Sequence, residues 1–114
     1  MAKQIESVIR VMRHYGDGDK KIWITETGWP VDQKHPYGRT LDQQAEWAPW
    51  LSAVAHAYPE VDKVFFFELR DRAEDGLYGW FDKDFNPRPV VKRWKTLIER
   101  LQSNPGSTGK THSD

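Results

Sequence analysis

The chain of 114 residues contains no cysteine, which excludes a disulfide framework and a thiolate metal site while leaving the compartment open. Long hydrophobic runs are missing too. Nothing approaches the ~18 consecutive apolar residues of a membrane span, and Met1-Ala2-Lys3-Gln4-Ile5-Glu6 lacks the apolar segment of a secretion signal. Charge of either sign is not in excess: Lys and Arg total 17 against 17 Asp and Glu, and the pI is near 6.9. No long-range field therefore draws the protein to phosphate backbones or anionic lipid, and neither nucleic acid nor membrane is an expected partner. His14, His56 and His112 show no metal-ligand spacing relative to one another or to a carboxylate cluster. No metal or other cofactor is expected.

What the chain does have is aromatic surface: six Trp and 13% aromatic residues in a sequence whose mean hydropathy is −0.81. Indoles stack on sugar faces while polar groups read hydroxyls, and they also fill ordinary cores, so composition leaves both roles open. The length suits one small domain burying roughly two thirds of its unfolded surface.

Ile5, Val8, Ile9 and Met12 recur at helical spacing, and Gly16-Asp17-Gly18 ends that first helix. A strand is expected at Ile22 to Thr25. After a loop from Val31 to Arg39, Thr40 and Gln43 form a capping-box pattern, and Trp47, Leu51, Val54, Ala55 and Tyr58 mark the buried stripe of a second helix that Pro49 should kink or divide. Val61 to Leu69, with the run Val64-Phe65-Phe66-Phe67 ending at Glu68, reads as a second buried strand. A long loop from Arg70 to Asn86 leads to Pro87 and Pro89, which open a third helix with Val90, Val91, Trp94, Leu97, Ile98 and Leu101 on one face. Residues 1–102 thus form the folded part, and 103–114, rich in Gly, Ser and Thr, a disordered tail. Within that tail Asn104-Pro105-Gly106-Ser107-Thr108-Gly109-Lys110-Thr111 comes close to a phosphate loop. It lacks the first glycine and any following helix to orient N–H groups, so nucleotide binding is not expected.

Helix-strand-helix-strand-helix order, with a connection long enough for a crossover, implies a parallel strand pair. Two such strands, apolar on both faces, leave two open edges, and the sequence asks for strands it does not contain.

The chemistry concentrates in Lys21-Ile22-Trp23-Ile24-Thr25-Glu26-Thr27-Gly28-Trp29-Pro30. A β-rich run delivers Glu26 to its C-terminal end, where Gly28 and Pro30 open a loop. Retaining glycoside hydrolysis needs one carboxylate to attack the anomeric carbon and a second to protonate the leaving oxygen. Glu26 suits the attacking role, although a strand-end Glu that merely meets solvent has the same local sequence. Trp29 either walls a sugar site or packs the loop; His35, Tyr37 and Arg39 lie where a loop would carry specificity or simply meet solvent.

Ile24-Thr25-Glu26-Thr27-Gly28-Trp29-Pro30 resembles the strand-seven nucleophile motif of clan A glycoside hydrolases, the retaining (β/α)8 barrels, particularly the family 39 xylosidase-like and family 5 cellulase-like branches. Val64-Phe65-Phe66-Phe67-Glu68-Leu69-Arg70-Asp71, then Tyr78-Gly79-Trp80-Phe81-Asp82 and Asn86-Pro87-Arg88-Pro89, resembles the segment from strand eight to the last helix of those enzymes. The similarity runs from about Ile5 to Leu101 and implies an α/β chain forming part of a TIM barrel, strands seven and eight with their helices, out of about 250 residues. It implies Glu26 as nucleophile, Phe66 where the family usually has a Trp flooring the sugar subsite, and a structural or subsite role for Glu68. Substrate-binding candidates are thus Trp29, Phe66, Glu68, His35 and Tyr37.

The acid of this clan comes from an Asn-Glu pair on strand four, which has no counterpart upstream of Glu26. Glu68 would lie one strand away, ~4.8 Å, near the ~5.5 Å spacing of a retaining pair, but beside Glu26 rather than across the sugar. Arg70 and Asp71 are expected to pair with each other or with the loop. The resemblance implies an oligo- or polysaccharide substrate, O-glycosyl hydrolysis by a barrel whose acid-bearing half this chain lacks, and no activity alone. Alternatively, the chain is a non-catalytic carbohydrate-binding or self-assembling half-barrel module.

Overall fold

The computed structural model describes residues 1–103; the stretch from 104 on, including the phosphate-loop-like segment and most of the expected tail, lies outside the described residues. The chain is α/β, with α1 (Ala2–His14), β1 (Ile22–Thr27), α2 (Leu41–His56), β2 (Val61–Phe66) and α3 (Pro89–Ser103) in order. Ser103, expected in the tail, is the last helical residue. β1 and β2 pair in parallel as a two-stranded sheet.

Helix α1 buries Ile5 and Ile9, one turn apart, against Ala55 of α2 and the flanking Ile22, Ile24, Val61 and Val64 of the strands. Met12 is partly buried, whereas Val8 and Val11 are exposed. Tyr15 caps the end and Gly16 follows at φ 81°, a left-handed conformation that glycine adopts without a Cβ clash.

Thr40 accepts from the Gln43 N–H at 3.0 Å while Gln43 Oε1 accepts from the Thr40 N–H at 3.0 Å, completing the capping box of α2. The helix then runs unbroken through Pro49 to His56, so it is not divided there. Its buried residues are Gln44, Ala45, Ala48, Leu51 and Ala55; Leu51 and Ala55 belong to the expected stripe, while Trp47, Val54 and Tyr58 are only partly buried. Small side chains at 45 and 48 let α3 approach, and Val90 is fully buried against them. Burying a side chain such as Leu51 or Val90 stabilises the fold by about 1.5–3 kcal/mol.

Strand burial differs from the expectation of apolar strands covered on both sides. Ile22, Ile24, Val61 and Val64 meet the helices, whereas Trp23 and Phe65 are 55% and 47% exposed. Helices cover a single face of the pair, and strand periodicity turns alternate residues away from them. On that open face the Trp23 Nε1–H donates to Asp62 Oδ2 at 3.1 Å and Lys63 Nζ lies 4.5 Å from the indole centroid.

Candidate functional site

Register places Glu26. Ile24 lies opposite Val64 and Thr27 opposite Phe66, so β1 fits two residues, Thr25 and Glu26, where β2 fits Phe65. This extra residue is a β-bulge, which bends a strand and re-aims side chains. Strict alternation would bury one of the pair; instead both Thr25 and Glu26 are exposed. Glu26 makes no side-chain hydrogen bond or ion pair among the described residues.

Past the bulge the two chain segments run side by side. The Phe67 N–H donates to the Thr27 carbonyl at 2.8 Å, and a Cβ on Gly28 would collide with the Phe67 carbonyl oxygen. Glycine is required there by close backbone approach. The segments carrying Glu26 and Glu68 are thereby joined at the C-terminal ends of a parallel pair.

Glu68 is largely buried, with its side chain 11% exposed. Arg72 Nε donates to its Oε2 at 2.9 Å, while its Oε1 is buried without a partner. Arg72 also reaches Asp75 at 2.6 Å. The hydrogen bond to Glu68, followed by the Asp75 and Glu68 charges, raises the Arg72 pKa above its ordinary value.

Aromatic residues divide between the two sides. Phe66 forms a three-ring cluster with Trp80 and Trp94, centroids 5.2–5.4 Å apart, packed against Ala45, Ala48 and Val90. Its ring faces the helices, which is where strand alternation sends it, and not the open side where a sugar floor would stand. Phe67, beside Thr27, packs edge-on to Tyr78 at 5.5 Å and lies 5.8 Å from the Arg72 guanidinium. His35 continues this chain, 5.8 Å from both Tyr78 and Tyr37. Its Nδ1 accepts the Tyr37 N–H at 3.1 Å, and Tyr37 is 68% exposed. The loops after β1 and β2 are thus packed together, His35 and Tyr37 being linked to Glu68 through Tyr78, Phe67 and Arg72. Trp29 lies apart, edge-on to Trp47 at 5.6 Å and against the Ala45–Val90 core.

A buried ion pair holds the second loop. Arg88 Nη2 donates to Asp71 Oδ2 at 2.6 Å and Nη1 to Oδ1 at 2.7 Å, while Oδ1 also accepts the Gly79 N–H at 2.7 Å. Asp71 therefore pairs with Arg88, 17 residues on, and not with Arg70, which donates to the Lys83 carbonyl and stacks on Phe85 at 4.5 Å. Buried Gln44 spans both loops, its amide 3.3–3.4 Å from the carbonyls of Trp29, Tyr78 and Gly79. Neither the Asp71–Arg88 pair nor Gln44 was legible as a buried group from residue type. At the loop end, the Asn86 backbone N–H, then its side chain, hold the Asp82 carboxyl below the ordinary carboxylate range.

No helix is long and apolar enough to cross a membrane, and no group of three His, Cys, Asp or Glu suited to a metal occurs, among the described residues.

This arrangement, helices on one side of a parallel pair and joined loops at its C-terminal end, defines an α/β architecture. A solved structure, Faecalibacterium prausnitzii Beta-glucuronidase, is similar to it at a TM-score of 0.57 and 18% sequence identity, covering 82% of this chain. The chain spans 18% of the length of that protein. The likeness is one of fold. No protein-family model matches the sequence, and no match is found among curated proteins.

Proposed function

We propose that this chain supplies the nucleophile-bearing strand pair of a retaining glycoside hydrolase, with Glu26 as the attacking carboxylate. The bulge that exposes Glu26 at the C-terminal end of β1 carries the reading; the nucleophile-like motif around Glu26 and the fold likeness to a β-glucuronidase agree with it. In the proposed step a Glu26 oxygen forms a bond to the anomeric carbon while the bond to the leaving oxygen breaks, giving a glycosyl ester that water then hydrolyses. The aromatic residue of β2 opposite Thr25 and Glu26 in the register is the exposed Phe65, not the helix-facing Phe66. Glu68 stays a subsite candidate on the strength of its unpaired Oε1; His35 and Tyr37 are linked to it through Tyr78, Phe67 and Arg72.

The acid would come from strands outside this pair, since Glu68 is engaged by Arg72. Losing a general acid costs a factor of about 10²–10⁴ on ordinary leaving groups, so we expect no appreciable hydrolysis of unactivated glycosides by the chain alone. A dinitrophenolate leaves without protonation. Incubation with dinitrophenyl 2-deoxy-2-fluoroglycosides of gluco, xylo, galacto and glucurono configuration should therefore leave a covalent adduct on Glu26, located by peptide mass, and Glu26→Gln should abolish it. Absence of an adduct throughout the panel, or an adduct at another residue, would sink the assignment.

The two open sheet edges favour a second reading, in which the chain is a saccharide-binding or assembly module. That reading predicts association of the chain and leaves Glu26 unlabelled.

A further inference from the structure

A cleft of about 670 Å³ opens between the first turn of α1, the end of β1 and the middle of α2. Gln4, Thr27, Trp29, Glu46, Trp47 and Trp50 supply its chemistry. Its volume lies within the roughly 300–1,000 Å³ of small-molecule sites, and its lining has their usual composition, mostly apolar with a few polar groups. Glu26 is not among the lining residues, but Thr27 and Gly28, which follow it, are. The cleft thus borders the end of β1 on the helix side, away from the open face that carries Trp23 and Phe65.

Three features narrow the occupant. Trp29 and Trp47 stand edge-on at 70°, and Trp50 is 56% exposed, which leaves its flat apolar surface open to a ligand of matching shape. A carboxylate, an amide and a hydroxyl, from Glu46, Gln4 and Thr27, offer acceptors and donors for hydroxyl groups. Glu46 contributes a negative charge, while Met1, which bears the N-terminal amino group, lines the same cleft and the Arg39 guanidinium lies 5.6 Å from the Trp47 ring centroid, so the charges offset one another and no net sign selects an ion. A flat ring with apolar C–H faces and a rim of hydroxyls, bearing no charge, satisfies all three.

We propose that this cleft is a binding site for neutral pyranose units of an oligosaccharide, separate from the Glu26 carboxylate. The site stacks the sugar on Trp50, and Glu46 accepts from its hydroxyls. It does not depend on Glu26 being a nucleophile.

The test is titration of the purified full chain with soluble gluco-, xylo- and manno-oligosaccharides, followed by tryptophan fluorescence and calorimetry. Saturable binding of at least one neutral series is expected, weakened at least tenfold by Trp50→Ala, several-fold by Glu46→Gln, and less by Trp50→Phe than by Trp50→Ala. Trp23→Ala, which removes the exposed indole of the sheet face, should leave affinity unchanged. Circular dichroism of each variant separates lost binding from lost folding, and Trp50 and Glu46 are exposed enough for both variants to fold. No saturable binding of any neutral series overturns the proposal, as does tighter binding of uronate oligosaccharides or of quaternary ammonium ions. Sensitivity to Trp23→Ala in place of Trp50→Ala overturns it too. Failure of Glu26 labelling with binding intact would reject the nucleophile and leave this site standing.

Discussion

At the scale of single residues, the two carboxylates at 68 and 71 differ in how fully they are satisfied. Glu68 is held by exposed Arg72 and keeps one oxygen unpaired, whereas Asp71 is saturated by Arg88 and Gly79. A buried oxygen without a partner is uncommon, whereas a saturated buried carboxylate ties its loop in place. Arg88→Ala would leave Asp71 charged and buried, and loss of one partner of such a pair costs about 3–5 kcal/mol. Denaturant unfolding should show that loss. Arg88→Lys keeps the charge without the bidentate fork and should lose less.

At the scale of elements, α2 organises the rest. It packs on α1, β2 and α3, and its Gln44 touches the loops after both strands. Its start is set by Thr40 and Gln43, two orphan N–H groups being satisfied reciprocally. Thr40→Ala should therefore cost about 0.5–2 kcal/mol, and Thr40→Ser should recover most of it. Thermal unfolding followed at 222 nm measures both. Helix α3 depends more on its neighbours: Val90 is its buried residue, and Ile98 and Leu101 stay exposed at 40% and 46%.

At the scale of the whole molecule, the two-stranded sheet is covered on one face and open on the other, with both outer edges unpaired among the described residues. Unpaired edges and exposed Trp23 and Phe65 favour association with further strands. Net charge is zero, so repulsion does not oppose it. Sedimentation velocity should show concentration-dependent association of the purified chain, and Trp23→Lys with Phe65→Lys should reduce it. A monomer throughout the accessible range would mean that this face is stable in water as it stands.

The order of elements, the parallel pairing, the α2 capping box and the position of Glu26 near a strand end were all readable from local pattern, because propensity, caps and turn residues act over a few neighbours. Tertiary structure decided what needs long-range registration. The bulge at Thr25–Glu26 exists only relative to β2, and Glu26 is exposed where strict alternation would bury it. Phe66 and Phe67 are identical in type, yet alternation against α3 sends the first to the Trp80–Trp94 cluster and leaves the second beside Thr27. Asp71 chose Arg88 over its neighbour Arg70 because the loop folds back to deliver a bidentate partner from 17 positions on into a buried place. Sequence distance does not report such meetings; desolvation and geometry do.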